Sequence, residues 1–61
     1  MTAEILNERQ TAALLGCSRQ TLARWRMAGK GPPFSRLGAM IRYEREIVLE
    51  WIAERREKTA G

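Results

Sequence analysis

The chain has 61 residues, enough for one small domain at most, and a domain of this size buries only about 60% of the surface of its unfolded chain, leaving little room for an enclosed active site. It contains no histidine and a single cysteine, Cys17, which excludes the commonest general base, an internal disulfide and any multi-cysteine metal cluster. The formal net charge is +4 with a pI near 10.2, and no apolar run approaches the roughly 20 residues that span a bilayer.

The start of the chain, Met1 to Asn7, carries Glu4 and no basic cluster, so it does not look like a secretion signal. The composition therefore predicts a cytoplasmic protein with no cofactor, no metal, no membrane and no small-molecule substrate. A lone thiol suits a reducing compartment, and Cys17 reads as a small core residue rather than a reactive one.

The first helix is expected to start after Asn7. Asn is a preferred N-cap, and Gln10 stands three positions on, completing a capping box. Thr11, Ala12 and Leu15 share one face while Arg9 and Ala13 point away, and Gly16 stands where a left-handed C-cap belongs. After a three-residue connection, Gly16-Cys17-Ser18, Ser18 caps a second helix over Arg19 to about Ala28. Such a short link is that of a helix-turn-helix. Leu22 and Trp25 form the buried edge of this helix. Phasing at 100° per residue puts Arg19, Gln20, Ala23, Arg24 and Met27 on the opposite arc, with Thr21 and Arg26 at its borders.

Gly29, Gly31, Pro32 and Pro33 end helical structure. Two short alternating runs follow, Phe34 to Leu37 and Met40 to Tyr43, on either side of Gly38-Ala39. They predict a β-hairpin in which Gly38 supplies the positive φ of a tight turn. A third helix is expected over Glu44 to Glu57, with Ile47, Val48 and Trp51 inward and Ile52 at the edge. Lys58 to Gly61 should fray, leaving an ordered core of about residues 5–57. The expected core is Leu15, Leu22, Trp25, Phe34, Ile41, Ile47 and Trp51. Trp25, Phe34, Tyr43 and Trp51 are of a type that stacks on single-stranded bases, but their spacing favours the core. Leu14 and Leu49 wind outward and are candidates for a protein contact.

The charge is unevenly placed. Residues 18–42 hold Arg19, Arg24, Arg26, Lys30, Arg36 and Arg42 and no acid, whereas the flanking segments each carry a net charge of −1. A block of one sign fits a polyanion partner.

The run Leu6-Asn7-Glu8, Ala12-Ala13-Leu14-Leu15-Gly16-Cys17-Ser18-Arg19-Gln20-Thr21-Leu22 and Arg24-Trp25 resembles the helix-turn-helix of the excisionase and AlpA-like family, relatives of the MerR-type DNA-binding domain. Gly31-Pro32-Pro33-Phe34, Leu37-Gly38, Ile41-Arg42-Tyr43, Glu46-Ile47 and Trp51-Ile52 extend the resemblance over about Ile5 to Ile52. It implies a mostly α fold with a small β-hairpin: a winged helix-turn-helix made of helix-turn-helix, two-stranded wing and C-terminal helix. It also implies double-stranded DNA as the partner, with the second helix in the major groove and the wing at phosphate or the minor groove.

On that reading Ser18, Arg19, Gln20, Thr21, Arg24 and Met27 form the recognition helix's contact surface. Arg24 is the first choice for base readout and Gln20 the second, because Arg pairs with guanine and Gln with adenine. Arg19 and Thr21, near the helix start, suit phosphate. Arg26, Lys30, Arg36 and Arg42 are the expected phosphate clamps, although Arg42 has an alternative partner in a glutamate of the third helix. Ala39 and Met40 occupy the wing tip, where a basic residue is usual, and this argues against deep minor-groove insertion.

A module this small contacts about 600–1,000 Å² and binds weakly as one copy, so adjacent copies or a site-specific recombinase are the expected partners. The resemblance implies an excisionase of a phage or mobile element that binds repeated sites and bends DNA. An AlpA-like transcriptional regulator and a protein-interaction module that retains the fold are the alternatives.

Overall fold

The computed structural model describes residues 3–57. The chain order is β1 (Ile5–Leu6), α1 (Glu8–Leu15), α2 (Arg19–Met27), β2 (Ser35–Leu37), β3 (Met40–Glu44) and α3 (Arg45–Glu54). The expected fraying of Lys58 to Gly61 lies outside the described residues.

The first helix forms as its sequence dictates. Asn7 Oδ1 accepts from the Gln10 amide at 2.7 Å and Gln10 Oε1 accepts from the Asn7 amide at 2.9 Å, so two of the helix's orphan donors are satisfied reciprocally. Gly16 closes the helix at φ 75°. Ser18 caps α2 without a reciprocal bond to its own amide, its Oγ accepting from the Thr21 amide at 3.1 Å and donating to Thr21 Oγ1 at 2.9 Å.

β1 is an element that the sequence reading lacks. Ile5 pairs with Glu44 and Leu6 with Tyr43, making an antiparallel sheet of order β1-β3-β2 rather than an isolated hairpin. Two residues are too few for a periodic signal, and only the pairing with β3 makes them a strand. The link is reinforced where the Arg45 amide donates to the Glu4 carbonyl at 3.0 Å and the two side chains approach to 3.6 Å. The hairpin itself has the expected register. Leu37 faces Met40 across the two-residue turn Gly38-Ala39, and Gly38 has φ 64°.

The core differs in part from expectation. Its buried members are Leu6, Thr11, Ala12, Leu22, Tyr43 and Val48, where both helices of the helix-turn-helix, the central strand and α3 converge. Each fully buried aliphatic side chain here contributes about 1.5–3 kcal/mol of transfer free energy. Thr11 is tolerated because its Oγ1 donates to the Asn7 carbonyl at 2.8 Å. Of the expected core, Leu22 is central. Leu15, Trp25 and Ile41 are half-buried shoulders packed on it, while Ile47 and Trp51 are half-buried.

Phe34 is a correction: it is 38% exposed. It precedes an edge strand, with Tyr43 at a ring distance of 6.1 Å and the guanidinium groups of Arg26 and Arg36 each 5.9 Å from its ring centroid. Leu14 is a second correction, since it packs against the core from the end of α1, whereas Leu49 does remain exposed. The third helix is also shorter than expected, ending at Glu54 with Arg55 as its C-cap. Arg55 folds back over Trp51, 4.2 Å from the ring centroid, and its Nη1 donates to the Trp51 carbonyl at 3.2 Å.

Candidate nucleic-acid interface

Three chain segments meet around one open cleft of about 490 Å³: the first turn of α1, the first turn of α2 and the hairpin tip. Its cationic lining is Arg9, Arg19, Arg26 and Arg42, its one acid is Glu8, and Ala39 and Met40 form the wing side. A smaller groove lined by Gln20 and Ala23 adjoins it, sharing Glu8 and Arg19. Cleft and groove together therefore take in Arg19, Gln20 and Ala23 of the α2 arc and reach the wing, while Arg24 and Met27 line neither.

Why these side chains converge follows from local structure. The capping box starts α1 abruptly at Glu8, and the three-residue connection turns α2 back so that Arg19 stands near that start. The pairing of Leu6 with Tyr43 then brings the preceding residues of β3, from Met40 to Arg42, beside the same turn. Two helix N-termini with positive dipole ends and a set of arginines make the cleft strongly attractive to anions.

Ser18, Arg19, Gln20, Arg24 and Met27 are exposed on α2, Met27 to 81%, and Thr21 is half-buried behind its hydrogen bond to Ser18. Arg36, Ala39 and Met40 are exposed on the wing. Lys30 lies elsewhere. It lines a separate cavity with Gly29, Gly31, Trp25 and Trp51, on the side of α2 that carries none of the cleft residues.

Arg26 is not a free clamp. Its Nε lies 3.1 Å from Glu8 Oε2, and the two side chains are only 17% and 20% exposed. The same guanidinium stands 5.9 Å from the Phe34 ring centroid. A border position on α2 turned it inward toward α1, where the one nearby carboxylate holds it. Arg42 does not pair with a glutamate of α3 either. Its Nη1 donates to the Ile41 carbonyl at 2.8 Å and its Nη2 lies 3.2 Å from Met40 Sδ, so the side chain is laid along its own strand.

Tyr43 stands behind this ion pair. Burial raises its pKa above the ordinary 10.0, and the Glu8 carboxylate adds to the rise while Arg26 opposes it. Among the described residues, neither the buried Tyr43 hydroxyl nor the buried Trp51 indole N–H has a hydrogen-bond partner.

Arg9 is the cleft residue that sequence reasoning passed over. It lies outside the acid-free block, and its outward phase on α1 was the only available signal. Arg9, Arg19 and Arg42 have no acidic side chain within ion-pair distance among the described residues. Among those residues, too, no group of three or more Cys, Asp or Glu could hold a metal ion, and no helix is long and apolar enough to cross a membrane.

Two helices joined by a short turn, an exposed cationic arc on the second, and an antiparallel wing beside it define a winged helix-turn-helix DNA-binding protein. The comparison with protein families agrees: a family described as "Helix-turn-helix domain" matches residues 3–56. The chain belongs to that family, a small DNA-binding group of excisionase- and AlpA-like character. No curated protein matches the chain. Sequence-specific binding of double-stranded DNA is thus its activity, and domains of this kind are typically non-enzymatic.

Proposed function

We propose that the chain acts as an excisionase, a recombination directionality factor of a phage or mobile element, binding repeated duplex sites and bending them for a site-specific recombinase. The observation that carries this reading is the continuity of the cleft. Arg19 at the start of α2, Arg9 on α1 and Arg42 on the wing all line it, so one phosphate strand can be gripped by three segments at once.

Arg24 and Gln20, exposed farther along α2, read base edges in the major groove, with Ser18, Thr21 and Met27 completing the contact surface. Arg36 adds a phosphate contact from the far side of the wing, and Lys30 one from beyond the end of α2. A contact surface of one short helix and one hairpin holds a single copy weakly, which favours occupancy of adjacent sites.

The test is a selection of bound duplexes at two salt concentrations, followed by electrophoretic bending analysis of the recovered sites. The excisionase reading expects direct repeats, bent DNA and affinity that falls steeply with salt. Isolated, undistorted sites would point instead to an AlpA-like regulator. An activity that survives in an Arg24→Ala/Arg36→Ala double variant, without salt-sensitive DNA binding, would point to a protein-interaction module.

A further inference from the structure

The wing tip lacks the basic residue that a minor-groove clamp uses. Instead, Leu37 and Met40 stand opposite each other as the last pair of the hairpin, 53% and 50% exposed, with exposed Ala39 in the turn between them. Hairpin register puts Arg42 on the same face as Met40 and Leu37. Its guanidinium touches the Met40 sulfur at 3.2 Å while tied to the Ile41 carbonyl, so the cation and the methionine lie side by side. Met40 and Ala39 also line the arginine cleft.

We propose that Leu37 and Met40 form an apolar wedge that enters the minor groove beside the bound major groove and partly unstacks one base step. The proposal rests on the DNA-binding face described above. Apolar side chains unstack steps and kink a duplex when neighbouring cations hold the phosphates, because the bent duplex then meets more protein surface. Arg42 and Arg9 are placed to hold those phosphates, on one side the strand that carries Met40 and on the other the first turn of α1. The apolar tip, which argues against deep minor-groove insertion of the wing as a whole, distorts the DNA through these two side chains alone. Flexible pyrimidine–purine steps are the preferred site, because they unstack most readily.

The experiment uses the full chain and a duplex recovered by selection, with 2-aminopurine substituted in turn at successive steps and donor and acceptor dyes at its ends. Wild-type protein should raise the 2-aminopurine emission at one step and shorten the end-to-end distance. Leu37→Ser/Met40→Ser should lose both signals in complexes brought to saturation with the variant, because the wedge that holds the step open is gone. Leu37→Thr/Met40→Thr, which keeps strand propensity, serves the same purpose if the serine variant does not fold. A wild-type complex that bends the duplex with every step stacked overturns the wedge alone, as do variants that bend and unstack as before. A straight wild-type complex overturns the wedge and the bending of the excisionase reading together. Failure of the wild-type chain to bind any duplex overturns the DNA-binding face and the wedge together.

Discussion

Glu8 and Arg26, 18 positions apart, meet at 3.1 Å across the junction of α1 and α2, and four-fifths of each side chain is removed from solvent. The contact does two things of opposite sign. It clips the two helices of the helix-turn-helix together in front of Tyr43, and it leaves a negative charge inside a cleft whose other charged side chains are arginines.

Glu8→Gln separates the two effects. The change leaves Arg26 with a neutral partner and should cost about 1–2 kcal/mol, as a partly buried charge loses its counterion. The same change removes the only acid of the cleft, so DNA affinity at low salt should rise. Urea denaturation and fluorescence titration with duplex measure the two effects. A loss of both stability and affinity would show that the ion pair's main contribution is to shape the cleft.

Tyr43 is the only tyrosine, so ultraviolet difference absorbance follows it alone. Its pKa is raised by folding, first by burial and then by Glu8. The stabilising effect of keeping the phenol neutral is complete below the unfolded value of about 10 and is lost as pH rises from there through the folded value. Stability should therefore fall above about pH 10, and Tyr43→Phe should lessen that fall. Because the hydroxyl has no hydrogen-bond partner among the described residues, the Phe variant should lie within about 1 kcal/mol of wild type at neutral pH. A tyrosine that titrates at its ordinary value in the folded protein would contradict this account.

The two classes of DNA contact are expected to respond differently to truncation. Arg24→Ala should weaken the selected site by about 1–3 kcal/mol and relax the preference at one base pair. Arg36→Ala should weaken all duplexes alike and reduce the salt slope by about one. Binding assays over a salt series, on selected and scrambled duplexes, give both readings. Identical behaviour of the two variants would remove the division into reader and clamp.

Gly31 and Gly38 both need a left-handed backbone, at φ 92° and 64°, but only Gly31 is also crowded. A Cβ there would lie 3.2 Å from Trp25 Cβ, whereas at Gly38 it would meet nothing within 4 Å. Gly31→Ala should thus cost about 2–3 kcal/mol against about 1 kcal/mol for Gly38→Ala, measured by thermal unfolding. Equal losses would mean that the close approach to Trp25 relaxes without cost.

The local features of the fold were legible in the sequence because each rests on neighbours a few positions apart. The Asn7–Gln10 box, the Gly16 cap, the Ser18 cap and the Gly38 turn are all written within four residues and appear as expected. Leu6 escaped notice as core because a two-residue strand has no period of its own. Phe34 misled because an aromatic in an alternating run looks inward, yet it stands just before an edge strand, where Tyr43 and two arginine side chains cover it only in part.

The acid-free block from residue 18 to residue 42 foretold a polyanion partner, and the phasing of α2 foretold which side chains would stand free. Sequence by itself thus determined the elements, their caps and the exposed cationic arc, since these follow from local hydrogen bonding and helical geometry. Only the tertiary structure decided which cations share a surface. Pairing of Leu6 with Tyr43 brought the wing beside α1, adding Arg9 to the cleft, while the inward border position of Arg26 gave its charge to Glu8. Charge is a property of the residue, but its availability depends on what the fold places within reach.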